Sequence, residues 1–250
     1  MIKFFRKIRY NLMEQNKTGK YFKYAIGEIV LVVIGILIAL SINNWNENRK
    51  QNITDLSFLE TLKTELSIDI TTLSERILDY KSYNLGLEQV LELFNSKTKI
   101  TNEEYQIIAD AFRRIEVLTP VNQNSSRSNL NITNGTLLRI DKELHQGYLN
   151  YIELTNSRND ITSKLGESLQ SISIQHISPL FDLTTELSTS NTKRLYYDFN
   201  YKTISENRLI RNAIAKSLYY RIVYVGWAEN QKELAMNLLE DINDYLMAKN

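Results

Sequence analysis

The sequence predicts an all-α protein: a single N-terminal transmembrane helix followed by an elongated extracytoplasmic helical bundle. Three observations lead there. The first is Ala25 to Ile42, AIGEIVLVVIGILIALSI, 18 residues of nearly unbroken apolar character whose only charge is Glu28. The second is a pair of long apolar stripes, Leu59 to Phe94 and Leu209 to Leu246, that advance in steps of three and four residues, as one face of a helix does. The third is composition. Two prolines and no cysteine in 250 residues leave long helices few breakers, and exclude disulfides, thiolate metal sites and cysteine nucleophiles.

The apolar run approaches the roughly 20 residues that a helix needs to cross a bilayer core about 30 Å thick. Tyr24 and Trp45 flank it, and are the expected interface anchors. The central helix of a soluble protein is the competing reading, but such helices are seldom apolar on every side. A cleaved signal peptide is another. Its apolar region usually runs about 7–15 residues, and Ala39-Leu40-Ser41 makes a poor cleavage site, so a retained signal anchor fits better.

Ahead of the span, seven Lys and Arg face Glu14 alone, a local excess of +6 that leaves the remainder of the chain at −5. The positive-inside rule then places the N-terminus in the cytoplasm. The expected organisation is a basic cytoplasmic leader at 1–23, a transmembrane helix at 24–44 and an extracytoplasmic helical domain at 45–250. In the leader Ile2, Phe5, Ile8 and Leu12 recur at helical spacing among the bases. Two readings stand for it: an amphipathic segment lying on anionic lipid, or charges that only fix topology.

Within the span Glu28, Gly35, Ala39 and Ile42 share one side of a helix. Gly35 and Ala39 form a small-xxx-small pair that lets a neighbouring backbone approach, and a carboxylate in hydrocarbon favours a protein partner over lipid. Glu28, Gly35 and Ala39 are therefore the candidate membrane contact. The alternative is that Glu28 snorkels to water and the small residues reflect ordinary membrane-helix composition.

The first stripe runs Leu59, Leu62, Leu66, Ile70, Leu73, Ile77, Tyr80, Leu87, Leu91 and Phe94, with Asn84 in its one polar gap. Its helix is expected from Asn52 or Thr54 to Asn95, unless it continues from Trp45. The second stripe offers pairs such as Arg221 or Ile222 at each step and covers a similar length, so the two helices are natural antiparallel partners within or between chains. Between them, Thr101 or Asn102 can cap a helix with Glu103 and Glu104 in its first turn, ending before Pro120. Residues 122–134 read as an Asn- and Ser-rich loop. After Gly135 a helical segment is expected from Leu137 to about His176, despite Gly147 and Gly166. Residues 184–192 form the last connector, and 195–199 are a turn, a short strand or the start of the final helix. No stretch alternates at period two long enough to demand a sheet.

Chemistry is thinly signalled. His145 and His176 lie 31 residues apart with no metal-binding spacing around them, and Glu240, Asp241 and Asp244 read as a solvated helix face. There is no G-x-G-x-x-G, P-loop or G-x-S-x-G, so no catalytic residue, cofactor or metal is expected and an enzyme is not. Nucleic-acid binding fits poorly, because the residues after Glu28 sum to −4. Fifteen tyrosines fit either a recognition surface or the flanks of helix stripes.

Residues Tyr24 to Glu47, YAIGEIVLVVIGILIALSINNWNE, with the leader MIKFFRKIR, resemble the opening of an uncharacterised family of single-span membrane proteins from Flavobacteria and related Bacteroidetes. Asn134 to Glu153, NGTLLRIDKELHQGYLNYIE, resembles a second pattern of that family, which typically reads SSGxLxxI where this chain has Thr133-Asn134-Gly135. The resemblance implies a bacterial inner-membrane protein of unknown function, supplies no catalytic residue, and makes the Asn-x-Ser/Thr sequons at 124–126 and 131–133 poor glycosylation sites. The expected role is noncatalytic: a periplasmic helical domain, anchored in the lipid bilayer, that works by self-association or by contact with another envelope protein. The alternative is a ligand-sensing periplasmic domain that signals through a separate membrane partner.

Overall fold

The computed structural model describes Tyr10 and residues 18–120, 135–180, 182–186 and 194–249. The predicted leader at 1–23 and loop at 122–134 fall largely outside these residues. The chain divides into two compact units, Met1–Ser57 and Phe58–Asn250.

Helix α1 spans Thr18–Ser96, so the helix of the first stripe does continue back through Trp45 instead of starting near Asn52. Its first part, through Ser57, carries the apolar run. From Phe58 onward its buried residues are those of the predicted stripe with Phe58 added ahead of Leu59 and two substitutions. Asp69 is fully buried where Ile70 was expected, and Val90 where Leu91 was. Both are shifts of one position, which turns the face by about 100° of helix and follows the neighbours actually packed there.

Helix α2, Asn102–Arg113, starts at the predicted cap. The Thr101 hydroxyl accepts from the Glu104 amide at 3.3 Å and the Glu104 carboxylate accepts from the Thr101 amide at 2.9 Å, a reciprocal capping box. Beyond Gly135, whose φ of +66° favours a residue without Cβ, the expected single helix is two. Helix α3, Thr136–Ile140, ends at Asp141, which turns extended and caps α4, Lys142–Ile172, by accepting from the amides of Glu143 and Leu144 at 2.8 and 2.9 Å. Asp followed by an acidic first turn is a start signal, and it outweighs the apolar periodicity that runs through it. The helix widens to a π turn at Ser173–Ile177 and closes with a 3-10 turn, Ser178–Leu180, around Pro179.

An antiparallel strand pair, β1 Asp182–Glu186 and β2 Arg194–Asp198, brackets the last connector, with Leu183 opposite Tyr197 and Thr185 opposite Leu195. The strand reading of residues 195–198 is the one that holds, although the fold class remains all-α. Helix α5, Tyr201–Glu206, and the long helix α6, Arg208–Lys249, complete the chain.

Three apolar clusters are stacked along the bundle of the second unit. The first joins Phe58, Leu59, Leu62 and Leu66 of α1 to Leu144, Tyr148 and Ile152 of α4 and to Ala235, Leu238 and Ile242 of α6. The second joins Leu73, Ile77 and Tyr80 to Leu169 and to Tyr224, Val225 and Ala228. The third joins Leu87, Val90 and Phe94 to Ile177 and to Ile210, Ala213 and Ile214. In chain order, then, α1 and α4 run parallel and α6 runs antiparallel to both. The tyrosine rings of Tyr80 and Tyr224, 5.0 Å apart, and the Lys81–Glu229 ion pair at 2.7 Å fix the α1–α6 register.

The fourth member of the bundle is interrupted. Helix α2 places Ile108 and Phe112 in the third cluster, Leu118 enters the second, and Leu137 of α3 enters the first. Among the described residues, this part of the chain lies alongside the three long helices as a helix, a non-helical strap at 114–119, and a short helix.

Candidate functional site

Two places carry features that ordinary packing does not require: the apolar face of the first unit and the strap of the second. In the first unit, α1 is the one helix among the described residues long and apolar enough to cross a membrane. Its most apolar 18-residue window has a mean hydropathy of 2.8, and none of it is buried. A core helix would have protein around it. Glu28 is half-buried and lines a shallow groove of about 320 Å³ with Ala25, Ile29, Val32 and Val33. Gly35 and Ala39 are exposed, and a Cβ added at Gly35 would meet nothing within 4 Å, so the face is open to close approach. Trp45 is 67% exposed, with the Arg49 guanidinium over its ring at 6.0 Å. Tyr24 belongs to the same helix, and its side chain lies outside the described residues.

The strap poses a different problem. A helix satisfies its own carbonyls and amides, whereas residues 114–119 close only part of theirs, through the amides of Arg114, Ile115 and Val117 at 3.1–3.3 Å, and leave other groups to be met by side chains in the interior. Three residues of the long helices meet them. Ser217 donates its hydroxyl to the Ile115 carbonyl at 2.6 Å. Arg221 donates from Nε to the Val117 carbonyl at 3.2 Å and from one Nη to the Arg114 carbonyl. The Tyr80 hydroxyl donates to the Thr119 carbonyl at 3.2 Å and accepts from the Thr119 amide at 2.8 Å. Gly166 of α4 lets the strap in. A Cβ there would stand 2.4 Å from the Leu118 carbonyl oxygen.

The sequence leaves Arg221 or Ile222 open at this step of the stripe, and the structure buries the charged one. Arg221 is 0% exposed while Ile222 is 57% exposed. The cause is the strap: an isoleucine would strand the Val117 carbonyl, at about 1–3 kcal/mol, and leave the Arg114 carbonyl with only the Val117 amide. The guanidinium is costly to bury, and burial pushes its pKa down to about 10. The remaining terminal nitrogen has no hydrogen-bond partner, and the Tyr83 ring lies 5.8 Å from the guanidinium carbon. Arg114 approaches the same ring at 4.7 Å.

A second polar layer lies between the first two clusters. Tyr151 donates to the buried Asp69 carboxylate at 3.3 Å, and Gln231 donates to the Thr155 hydroxyl at 2.7 Å, which in turn donates to the Tyr151 carbonyl. Burial, followed by Glu65 and Asp69, raises the pKa of the Tyr148 phenol well above its ordinary range. Of the fifteen tyrosines, Tyr80, Tyr148, Tyr151 and Tyr224 are therefore core residues, whereas Tyr219 is 64% exposed. His145 and His176 are half-buried and lie on separate parts of the bundle, and no group of three metal-ligating side chains occurs among the described residues. Glu240, Asp241 and Asp244 are all exposed.

The burial of Arg221 is not legible in the sequence alone, and for Gly166 only a general signal exists. A glycine inside an otherwise periodic helix is the signal that marks such a close approach.

No curated protein and no solved structure matches this chain. Residues 28–138 match a family of unknown function, DUF6090, a stretch that begins at Glu28 in the apolar run, includes the strap and ends in α3.

Proposed function

We propose that this is a noncatalytic protein of the bacterial inner membrane, with its N-terminus in the cytoplasm and a periplasmic helical domain that works by protein–protein contact. One observation carries the reading: an 18-residue apolar window, none of it buried, in a helix whose glycine side is open. Hydrocarbon is the solvent that suits such a surface, at about 25 cal/mol for each Å² removed from water. The basic leader supports the orientation. Glu28, Gly35 and Ala39 are the contact face for a second copy or another envelope protein, and the long helices are the spacer or docking surface. The apolar clusters that join those helices support this scaffolding role.

Two experiments test it. After cell breakage the protein should sediment with membranes and resist alkaline extraction, and a tag at Asn250 should be reached from the periplasm; an aqueous protein or a cytosolic tag overturns the layout. In mild detergent the chain should form a stable oligomer that Gly35→Leu dissociates. A wild-type monomer, or an oligomer indifferent to that change, removes the contact face.

A ligand-sensing role through a separate membrane partner is the second reading. It is supported by a polar cleft at the end of α1, away from the packed interior.

A further inference from the structure

Around the C-terminal end of α1, where it meets α5 and the start of α6, lies a cleft of about 620 Å³. Its charged and hydroxyl-bearing lining includes Lys97, Thr98, Lys202, Ser205, Glu206 and Arg211. Three cations face one carboxylate there, whereas the residues after Glu28 as a whole sum to −4. The cleft is thus a local reversal of the charge around it.

Part of this charge has a structural use. A helix C-terminus exposes unpaired carbonyls and a partial negative charge, which cations complement. Arg211 does so with three bonds, donating from Nη2 to the Phe94 carbonyl, from Nη1 to the Asn95 side-chain oxygen and from Nε to the Ser205 carbonyl, each at 2.7 Å. Tyr201 adds a hydroxyl to the Leu93 carbonyl at 2.8 Å. The end of α1 is capped by these contacts, which leave over three things that capping does not need. Arg211 keeps the second N–H of each terminal nitrogen, in a side chain already immobilised by three bonds and by the Phe94 ring 5.5 Å away. Lys202 is exposed and has no ion pair among the described residues. The space in front of them is of the size that small-molecule sites occupy, about 300–1,000 Å³.

We propose that this cleft binds a small solute carrying a carboxylate or phosphate group, with the fork of Arg211 and the ammonium of Lys202 on the anion. Thr98 supplies a hydroxyl beside it for a further polar group of the solute, while the Ser205 hydroxyl donates to the Lys202 carbonyl at 3.3 Å. Lys97 is paired with Glu104 at the rim, and Glu206 is the one carboxylate of the lining. The site depends on neither membrane topology nor self-association, so its failure would leave the scaffolding role untouched.

The test uses the full-length protein in detergent micelles and calorimetric titration with three probes at matched ionic strength: glutarate, glycerol 3-phosphate and uncharged glycerol. Saturable binding of either anion, without binding of glycerol, is expected, and the stronger of the two identifies the source of the anionic group. Lys202→Ala, at an exposed position, should keep the helical content and weaken that binding roughly tenfold, the effect of one charge-assisted hydrogen bond. Lys202→Glu should abolish it. Absence of saturable heat with both anions overturns the proposal, as does unchanged affinity in both Lys202 variants.

Discussion

The apolar run of the first unit and the strap of the second invert each other's chemistry. From Ala25 to Ile42 the helix presents leucine, isoleucine and valine outward on every side, whereas around the strap a guanidinium is sealed inside. Backbone hydrogen bonding explains both. A helix closes its own carbonyls and amides, so its surface can be wholly apolar and sit in a solvent without hydrogen bonds. The strap closes only part of its backbone, so the interior around it must hold serine, arginine and tyrosine however apolar its neighbours are. What lies buried is set by the needs of the backbone as much as by side-chain hydropathy.

The sharpest way to break this comparison is to remove the guanidinium. Arg221→Ala should destabilise the helical domain by about 3 kcal/mol, since the Val117 carbonyl loses its donor at roughly 1–3 kcal/mol, the Arg114 carbonyl keeps only the Val117 amide, and a cavity opens beside them. Denaturant unfolding of the purified protein measures it; a loss under about 1 kcal/mol would mean that water replaces the side chain without cost. Gly166→Ala comes next. Its Cβ would meet backbone, which cannot rotate away, and the expected cost is about 2–3 kcal/mol in the same assay. A neutral result would show that the strap is free to shift. Thr101→Ala, at a helix start whose capping box is local, should cost only about 1 kcal/mol.

The buried phenols provide a pH counterpart. Tyr148 and Tyr224 have pKa values raised by burial above the ordinary 10.0. As pH rises past that value, the unfolded chain loses these protons before the folded one does, so stability from these groups is flat below it and falls above it. Arg221, lowered from 12.5 to about 10, acts with the opposite sign, because the folded state gives up its proton first and gains stability between those values. An unfolding series through the alkaline range, wild type against Tyr224→Phe, separates them: the variant should lose part of the alkaline decline, and an identical decline would show that Tyr224 titrates as an exposed phenol does.

Periodicity made most of the architecture legible. The stripe of α1, the cap at Thr101 and the extent of α6 are local properties, written in spacing and in the hydrogen-bonding reach of one side chain. Asp141 was legible too, as a cap, but its signal competed with an apolar pattern that continued through it. The strands at 182–198 are short and lie next to Ser- and Thr-rich sequence, so no long alternation announced them.

By itself the sequence determined the apolar run, its basic flank and the all-α class, because these depend on transfer from water and on residues within a turn or two of one another. Only the tertiary structure decided that Arg221 and not Ile222 turns inward, that Asp69 is buried, and that Gly166 makes room for a carbonyl 48 residues earlier in the chain. Those choices answer hydrogen-bonding demands set by a distant segment, and no local pattern encodes a demand that arises only when the strap is threaded between the helices.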